Sequence, residues 1–344
     1  MSTSFDISPE KRASTLHFFY RQFFITPSQV TRHDADLTGK KAIITGSNVG
    51  LGLEAAHQLL DLGCKVILAV RNESKGEAAR QELAKGRSRL SNDSIEVWKL
   101  DMSSYDSIIQ FVDRVKNELD HLDIAILNAG VYHIQESFAS TGYEEDFQVN
   151  YLSTMLLTIL LLPVLKDKKT GPDPARLVVV TSDTAAWAKF EERTSNPLLS
   201  TFRKEMTHWD MAERYATSKL LGLLFLTELL RRGVSSSSVT VSYANPGFCR
   251  GSELGRQATG AKRLISLVLT YLLGRTCSVG ARSYIHAATV LGEAAHGQYI
   301  EDAKVQPLPP IVYKSEGLRV ARTLYEETLA ELSFAGVRDI IKEL

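Results

Sequence analysis

The sequence predicts an α/β protein with a doubly wound parallel sheet in a single domain, and three observations carry that expectation. Apolar, β-rich runs alternate with helix-patterned segments six times with no linker-like stretch between them, which favours one wound sheet over two domains. The first run, Lys41 to Thr45, passes straight through Gly46-Ser47-Asn48-Val49-Gly50-Leu51-Gly52 into the helical stretch Leu53 to Leu62, the strand, turn and helix unit that cradles phosphate. A later run, Leu177-Val178-Val179-Val180, is continuously apolar, as expected of a parallel strand buried on both faces.

Composition narrows the function classes. Lys plus Arg and Asp plus Glu are 40 each among 344 residues, so no net field favours nucleic acid or an anionic membrane. The cysteines Cys64, Cys249 and Cys277 are odd in number, widely spaced and without histidines at metal-ligand intervals. That pattern points to a reducing compartment, taken here as cytoplasmic, and to no bound metal. The apolar runs Met155 to Leu165 and Leu264 to Leu273 fall short of a bilayer span, so no transmembrane helix is expected.

Taken in order, residues 1 to 36 form a helical leader in which Leu16 to Ile25 carries five aromatic rings before Pro27. The plainer expectation is a helix laid over an apolar groove of the main domain. The other is peripheral membrane contact or targeting, since Arg12, Arg21 and Arg32 sit among few acids. The single domain then runs from 37 to 335. Its second strand, Lys65 to Val70, ends in Arg71-Asn72; an acid there would bind a ribose 2′-hydroxyl, whereas an arginine can pair with a 2′-phosphate, so NADP(H) is favoured. Arg71 read alone is equally a solvated loop charge. The third strand, Ser94 to Leu100, runs into Asp101-Met102, where Asp101 accepts from an adenine amine, caps the helix from Tyr105 to Leu119, or does both. The fourth, Leu122 to Leu127, delivers Asn128-Ala129-Gly130, small residues against which a flat ligand can lie.

A long helix from Gly142 to Leu165 carries Asn150 in an apolar face, where a buried amide needs partners, either local ones or a wider polar network. The fifth strand, Arg176 to Ser182, aims the Ser182 hydroxyl at the mouth of the sheet. Residues 183 to 209 follow as a lid-like insert. Val239 to Tyr243 is the sixth strand and leads to Asn245-Pro246-Gly247-Phe248, after which 250 to 275 reads as a second lid-like segment with an amphipathic helix. Gln298 to Ile300 is a short last strand, and Ser315 to Leu332 a charged terminal helix.

Tyr215 and Lys219 lie four positions apart in the helix-patterned stretch Asp210 to Arg231, so phenol and ammonium project into the same space. A lysine charge near a phenol lowers its pKa and makes an acid/base pair. Read alone, the pair is more readily a half-buried tyrosine beside a solvated lysine.

With Thr45-Gly46-x-x-x-Gly50-x-Gly52, Asn128-Ala129-Gly130, Asn150, Ser182, Tyr215-x-x-x-Lys219 and Pro246-Gly247 all present in order, residues 38 to 330 resemble the short-chain dehydrogenase/reductase family. The likeness is to its compact single-domain members, and to retinol-dehydrogenase-like and fungal natural-product reductases. The resemblance implies a Rossmann fold and hydride transfer between NADP(H) and a carbonyl or secondary alcohol of a lipophilic small molecule, such as a secondary metabolite. It implies Tyr215 as proton donor or acceptor, Lys219 as the group that tunes Tyr215 and binds the nicotinamide ribose, and Ser182 as hydrogen-bond partner of the substrate oxygen. Asn150 would position a water for proton resupply, and Pro246 and Gly247 would lie beside the nicotinamide.

Two departures stand out. The 33 positions from Ser182 to Tyr215 exceed the family's usual gap, resembling members whose insert covers dimerisation helices, so the oligomeric state is open. The segment Phe248 to Ser252 carries an extra residue, and Ser252 is the expected carboxamide contact. The competing readings are a cofactor-binding protein without turnover, and an isomerase or cyclase on the same fold.

Overall fold

The computed structural model describes residues 5–87, 91, 93–252 and 270–344. Six strands alternate with helices: β1 (Lys41–Thr45), β2 (Lys65–Val70), β3 (Ile95–Lys99), β4 (Ile124–Leu127), β5 (Ala175–Val180) and β6 (Val239–Asn245). After a separate two-stranded pair, β7 (Cys249–Arg250) with β8 (Arg275–Thr276), the chain adds β9 (Tyr299–Glu301) and β10 (Lys304–Gln306). The main sheet runs β10-β9-β6-β5-β4-β1-β2-β3 and is parallel except for β10. Chain order reverses between β1 and β4. Their carboxyl ends lie level, Ile43 opposite Ala125 and Ile44 opposite Ile126, which opens the crevice where such sheets bind ligands.

Alternation along each strand feeds two cores. Ile43 and Ile67 face helices α5 (Tyr105–Glu118), α6 (Glu145–Lys168), α7 (Met211–Arg231) and α9 (Ser315–Glu331). Ala42 and Ile44 face α3 (Gly50–Asp61), α4 (Glu73–Ala84) and α8 (Cys277–Ala288). Of the described helices, α6 is long and apolar enough to cross a bilayer, which the run-length reading did not anticipate; nearly all of it is buried inside the fold, as a core helix.

The leader corrects the expectation of an apolar groove. Its helices α1 (Pro9–Arg12) and α2 (Thr15–Phe24) dock through polar side chains: Arg21 is only 3% exposed, while Leu16 and Phe24 are 85% and 76% exposed, with Tyr20 and Phe23 outward as well. Arg12 pairs with Glu301 at 2.8 Å, Arg21 pairs with Glu301 and lies 3.5 Å from Asp183, and Arg275 reaches Asp302 at 2.6 Å. Gln22 Nε2 donates to the carbonyls of Phe248 and Leu273 at 2.7 and 2.8 Å. Buried carboxylates, rather than apolar area, fix the orientation of α2.

The 183–209 insert is helical only in short 3₁₀ turns at Asp183–Ala186, Glu191–Thr194 and Leu199–Arg203. It covers helices and supplies no wall to the cavity described below. Phe202 stacks on Phe147 at 4.1 Å, and the amides of Leu198 and Leu199 donate to Glu327 at 2.9 and 2.8 Å. Of the second lid-like segment, 250–275, residues 253–269 lie outside the described residues.

Candidate active site

One cavity of about 510 Å³ lies at the β1/β4 switch point. Its floor is the turn after β1, where Gly46 and Gly50 have φ of 64° and 58°, values that favour glycine. The N-cap of α3, Val49, gives no side-chain cap, so the first N–H groups of the helix are left for a ligand, and Val49, Gly50 and Leu51 line the cavity. Asn128 Nδ2 donates to the carbonyls of Thr45 and Gly46 at 3.0 and 3.2 Å, and the Ala129 amide donates to Thr45 Oγ1 at 2.9 Å. These bonds lock the end of β4 to the turn.

Gly52 serves packing. A Cβ there would lie 2.5 Å from the Gly46 carbonyl oxygen and 2.6 Å from Asn128 Nδ2, atoms the turn cannot move cheaply. Gly52→Ala is expected to cost about 1–3 kcal/mol and to weaken dinucleotide binding in parallel. Thermal unfolding and cofactor fluorescence titration on the same preparation check this; an unchanged melting temperature would refute it.

Of the residues expected from sequence, Gly46, Asn48, Gly50, Leu51, Arg71, Asp101, Met102, Asn128, Ala129, Gly130, Tyr215, Lys219, Pro246 and Ser252 line the cavity. Ser47 does not: it is fully buried and its hydroxyl donates to the Ile44 carbonyl at 2.8 Å. Gly52, Asn150, Ser182 and Gly247 also stand behind the lining. The helix-cap reading of Asp101 is corrected, because Ser104 caps α5 while Asp101 Oδ1 accepts from the Ser103 amide and hydroxyl at 3.0 and 2.7 Å. Ser252 donates to the Cys249 carbonyl at 3.2 Å. Sequence reasoning missed Lys75, Tyr132, His133, Thr181 and Tyr284, all of which line the cavity. Lys75, one turn beyond Arg71, had a readable signal; Tyr284, far along the chain on α8, had none.

At the other end of the cavity, Lys219 Nζ lies 5.7 Å from the Tyr215 ring centre and donates to the Val180 carbonyl at 3.3 Å. A Cβ on Gly130 would sit 3.1 Å from Asn150 Oδ1 and 3.3 Å from Lys219 Nζ, so the glycine lets the two converge. Asn150 sits in a widened turn of α6, Gln148–Ser153. It accepts from the Val131 amide at 2.8 Å and donates to the Val131 carbonyl and Ser218 Oγ at 2.9 and 3.0 Å. Both readings of this amide hold, since it pins a loop and joins a polar network. Burial raises the Tyr215 phenol well above its ordinary pKa, while a hydrogen-bonding contact with Ser182 pulls the other way. Burial lowers Lys219 to about 8, with Asp146 opposing. The expected lowering of Tyr215 by Lys219 is not seen: desolvation dominates the shift, and the opposing contribution comes from Ser182.

His133, Glu144 and Asp146 stand close enough to share a cation, but their ligand atoms are taken. Glu144 accepts from the amides of Asp146 and Phe147 and faces Arg214, and Asp146 binds His133.

A parallel sheet whose switch point carries an uncapped glycine turn, with a tyrosine and lysine one helical turn apart across the cavity, defines a dinucleotide-dependent oxidoreductase class. Residues 40–191 match the short chain dehydrogenase family model. Across the whole chain, the short-chain dehydrogenase fogG of Aspergillus ruber is 56% identical over 351 residues, covering 100% of this chain and 99% of that protein. The short chain dehydrogenase/reductase mfmJ of Annulohypoxylon moriforme is 44% identical over 98% of both. Among solved structures, a protein from Mycobacterium paratuberculosis superposes with a TM-score of 0.62 at 25% identity, over 89% of this chain and 98% of that one. The chain belongs to the short-chain dehydrogenase family, and it is accordingly an oxidoreductase that works with a nicotinamide cofactor.

Proposed function

We propose that the protein is an NADP(H)-dependent reductase of a carbonyl on a lipophilic small molecule, a secondary metabolite, and in reverse a secondary-alcohol dehydrogenase. The observation that carries this reading is a single cavity with the glycine turn and Arg71 at one end and Tyr215 with Lys219 at the other. Arg71, just past β2, and Lys75, in the first turn of α4, line the cavity, and the residue that follows Arg71 in that lining is Asn72 rather than an acid. That donor set fits a 2′-phosphate.

The bound cofactor supplies the hydride. Within the protein, the uncapped start of α3 would receive the pyrophosphate, Lys219 would hold the ribose, and Pro246 would back the ring. Tyr215, kept protonated by burial, gives its proton to the carbonyl oxygen as the carbon is reduced, and Ser182 orients that phenol. Val131, Tyr132 and Val149 give the substrate end an apolar wall. The residues 37–335 act as one domain around this site.

The test follows NADPH absorbance with a panel of hydrophobic ketones and aldehydes. Consumption of NADPH with formation of the alcohol is expected; turnover without any absorbance change refutes the reading. Arg71→Ala should reduce the preference for NADPH over NADH roughly 10- to 100-fold, the worth of a charge-assisted hydrogen bond. An unchanged preference would remove Arg71 from the phosphate site.

A further inference from the structure

The loop that follows β4 is pinned at successive residues, with one conspicuous gap. The Val131 amide donates to Asn150 Oδ1 at 2.8 Å, and its carbonyl accepts from Asn150 Nδ2 at 2.9 Å. The His133 amide donates to Asp146 Oδ1 at 3.2 Å, its ring Nδ1 meets the same oxygen at 2.6 Å, and its Nε2 lies 3.1 Å from Glu145 Oε2. Further on, the Ile134 carbonyl accepts from Trp209 Nε1 at 2.9 Å and Glu136 accepts from the Met206 amide at 2.9 Å, so the 183–209 insert is fastened to the same loop. Between the two pins at 131 and 133 stands Tyr132. Its ring lies edge-on to the Tyr215 ring, centroids 5.0 Å apart at 83°, and it lines the cavity.

We propose that Tyr132 is a specificity-determining contact for the substituent beside the reacting carbonyl, and that His133, bridging Asp146 and Glu145, is the positioning residue that holds it against Tyr215. The proposal rests on the reductase reading above.

The geometry accounts for the residue types. Asp146 is fully buried and needs a cationic or donor partner to be tolerated there. His133 supplies one through both its amide and its ring. The Asp146 hydrogen bond is the largest cause raising the His133 pKa, which favours the doubly donating imidazolium between the two carboxylates. Glu144, the other carboxylate acting on His133, is held by backbone amides and Arg214. With both ring nitrogens engaged, His133 has none left for a substrate. The neighbouring Tyr132 ring is the part of this clamp that meets the reacting region, and an edge-to-face aromatic contact fixes its tilt.

The experiment uses the full chain with Tyr132→Phe, Tyr132→Ala, His133→Ala and Asp146→Asn. It measures NADPH dissociation constants by fluorescence, kcat and KM for carbonyls of increasing substituent size, and amide hydrogen exchange of the peptide spanning 130–136. Tyr132→Ala should leave NADPH binding within about twofold yet shift the kcat/KM ratio of the bulkiest to the smallest carbonyl by tenfold or more. Tyr132→Phe, which keeps the ring, should retain the original ratio. His133→Ala should shift the ratio in the same direction and raise exchange in 130–136 at least tenfold, whereas Asp146→Asn, which keeps an acceptor for His133, should do so less.

A Tyr132→Ala ratio within twofold of the original, or a matching change in NADPH affinity, overturns the specificity role. Unchanged exchange in His133→Ala overturns the clamp. An unaltered protein that binds NADPH but reduces no carbonyl in the panel overturns the reductase reading and the specificity role with it, while the exchange comparison still decides the clamp.

Discussion

Tyr215→Phe is expected to lower kcat by about 10²–10⁴-fold, the usual contribution of a positioned proton donor, with the NADPH dissociation constant little changed. The substitution removes one oxygen and keeps the ring that packs against Tyr132 at 5.0 Å, so the shape of the site survives. The Tyr215 phenol holds its proton firmly near neutral pH, because burial raises its pKa. Steady-state kinetics alongside cofactor titration check the result, and retained turnover would take Tyr215 out of the chemistry. The pH profile carries a related sign. Lys219 is lowered to about 8 by burial, so its ammonium is present below that pH and is lost as pH rises through it. If Lys219 acts as a cation, kcat/KM should fall across that interval.

Arg21→Met is expected to destabilise the fold by about 3–5 kcal/mol, the cost of removing one member of a buried ion group. Glu301 is 1% exposed and accepts from both Arg12 and Arg21, and Asp302 and Asp183 face the same guanidinium at 3.7 and 3.5 Å. Truncating Arg21 leaves this carboxylate cluster short of a cation in a dry setting. With an unfolding entropy of roughly 2 cal/mol/K per residue, the melting temperature should drop by about 4–7 °C, measured by calorimetry. Arg21→Met combined with Glu301→Gln should recover part of the loss, since the uncompensated charge is then gone. A single variant as stable as the original would show that the leader is not anchored through this group.

The parts of the fold that were legible in the sequence are those written in local pattern. Strands such as Lys41–Thr45 and Ala175–Val180 are set by β-branched, apolar residues between turn signals, and the glycine turn is set by the need for positive φ at Gly46 and Gly50. Of the strands of two or three residues, β9 was expected, while β7, β8 and β10 carry no period to read. The orientation of α2 was misjudged because apolar patterning usually decides which face is buried; here Glu301, 280 positions beyond Arg21, outweighs it. In the site, the tyrosine, lysine and glycines were legible because their spacing is their function. Ser47 was not, because nothing in its neighbours says that its hydroxyl turns back to Ile44. Tyr132 and His133 were hidden for a related reason: their partners Tyr215, Asp146 and Glu145 are brought to them by the winding of the sheet.

The ion group at Glu301 also orders events during synthesis. Arg12 and Arg21 leave the ribosome some 280 residues before their partners Glu301 and Asp302. At the roughly 5–20 residues per second of translation, the leader waits tens of seconds with its guanidinium groups solvated. Only when β9 adds to the sheet can α1 and α2 lock down through Glu301, so these two helices are seated late although they are made well before it.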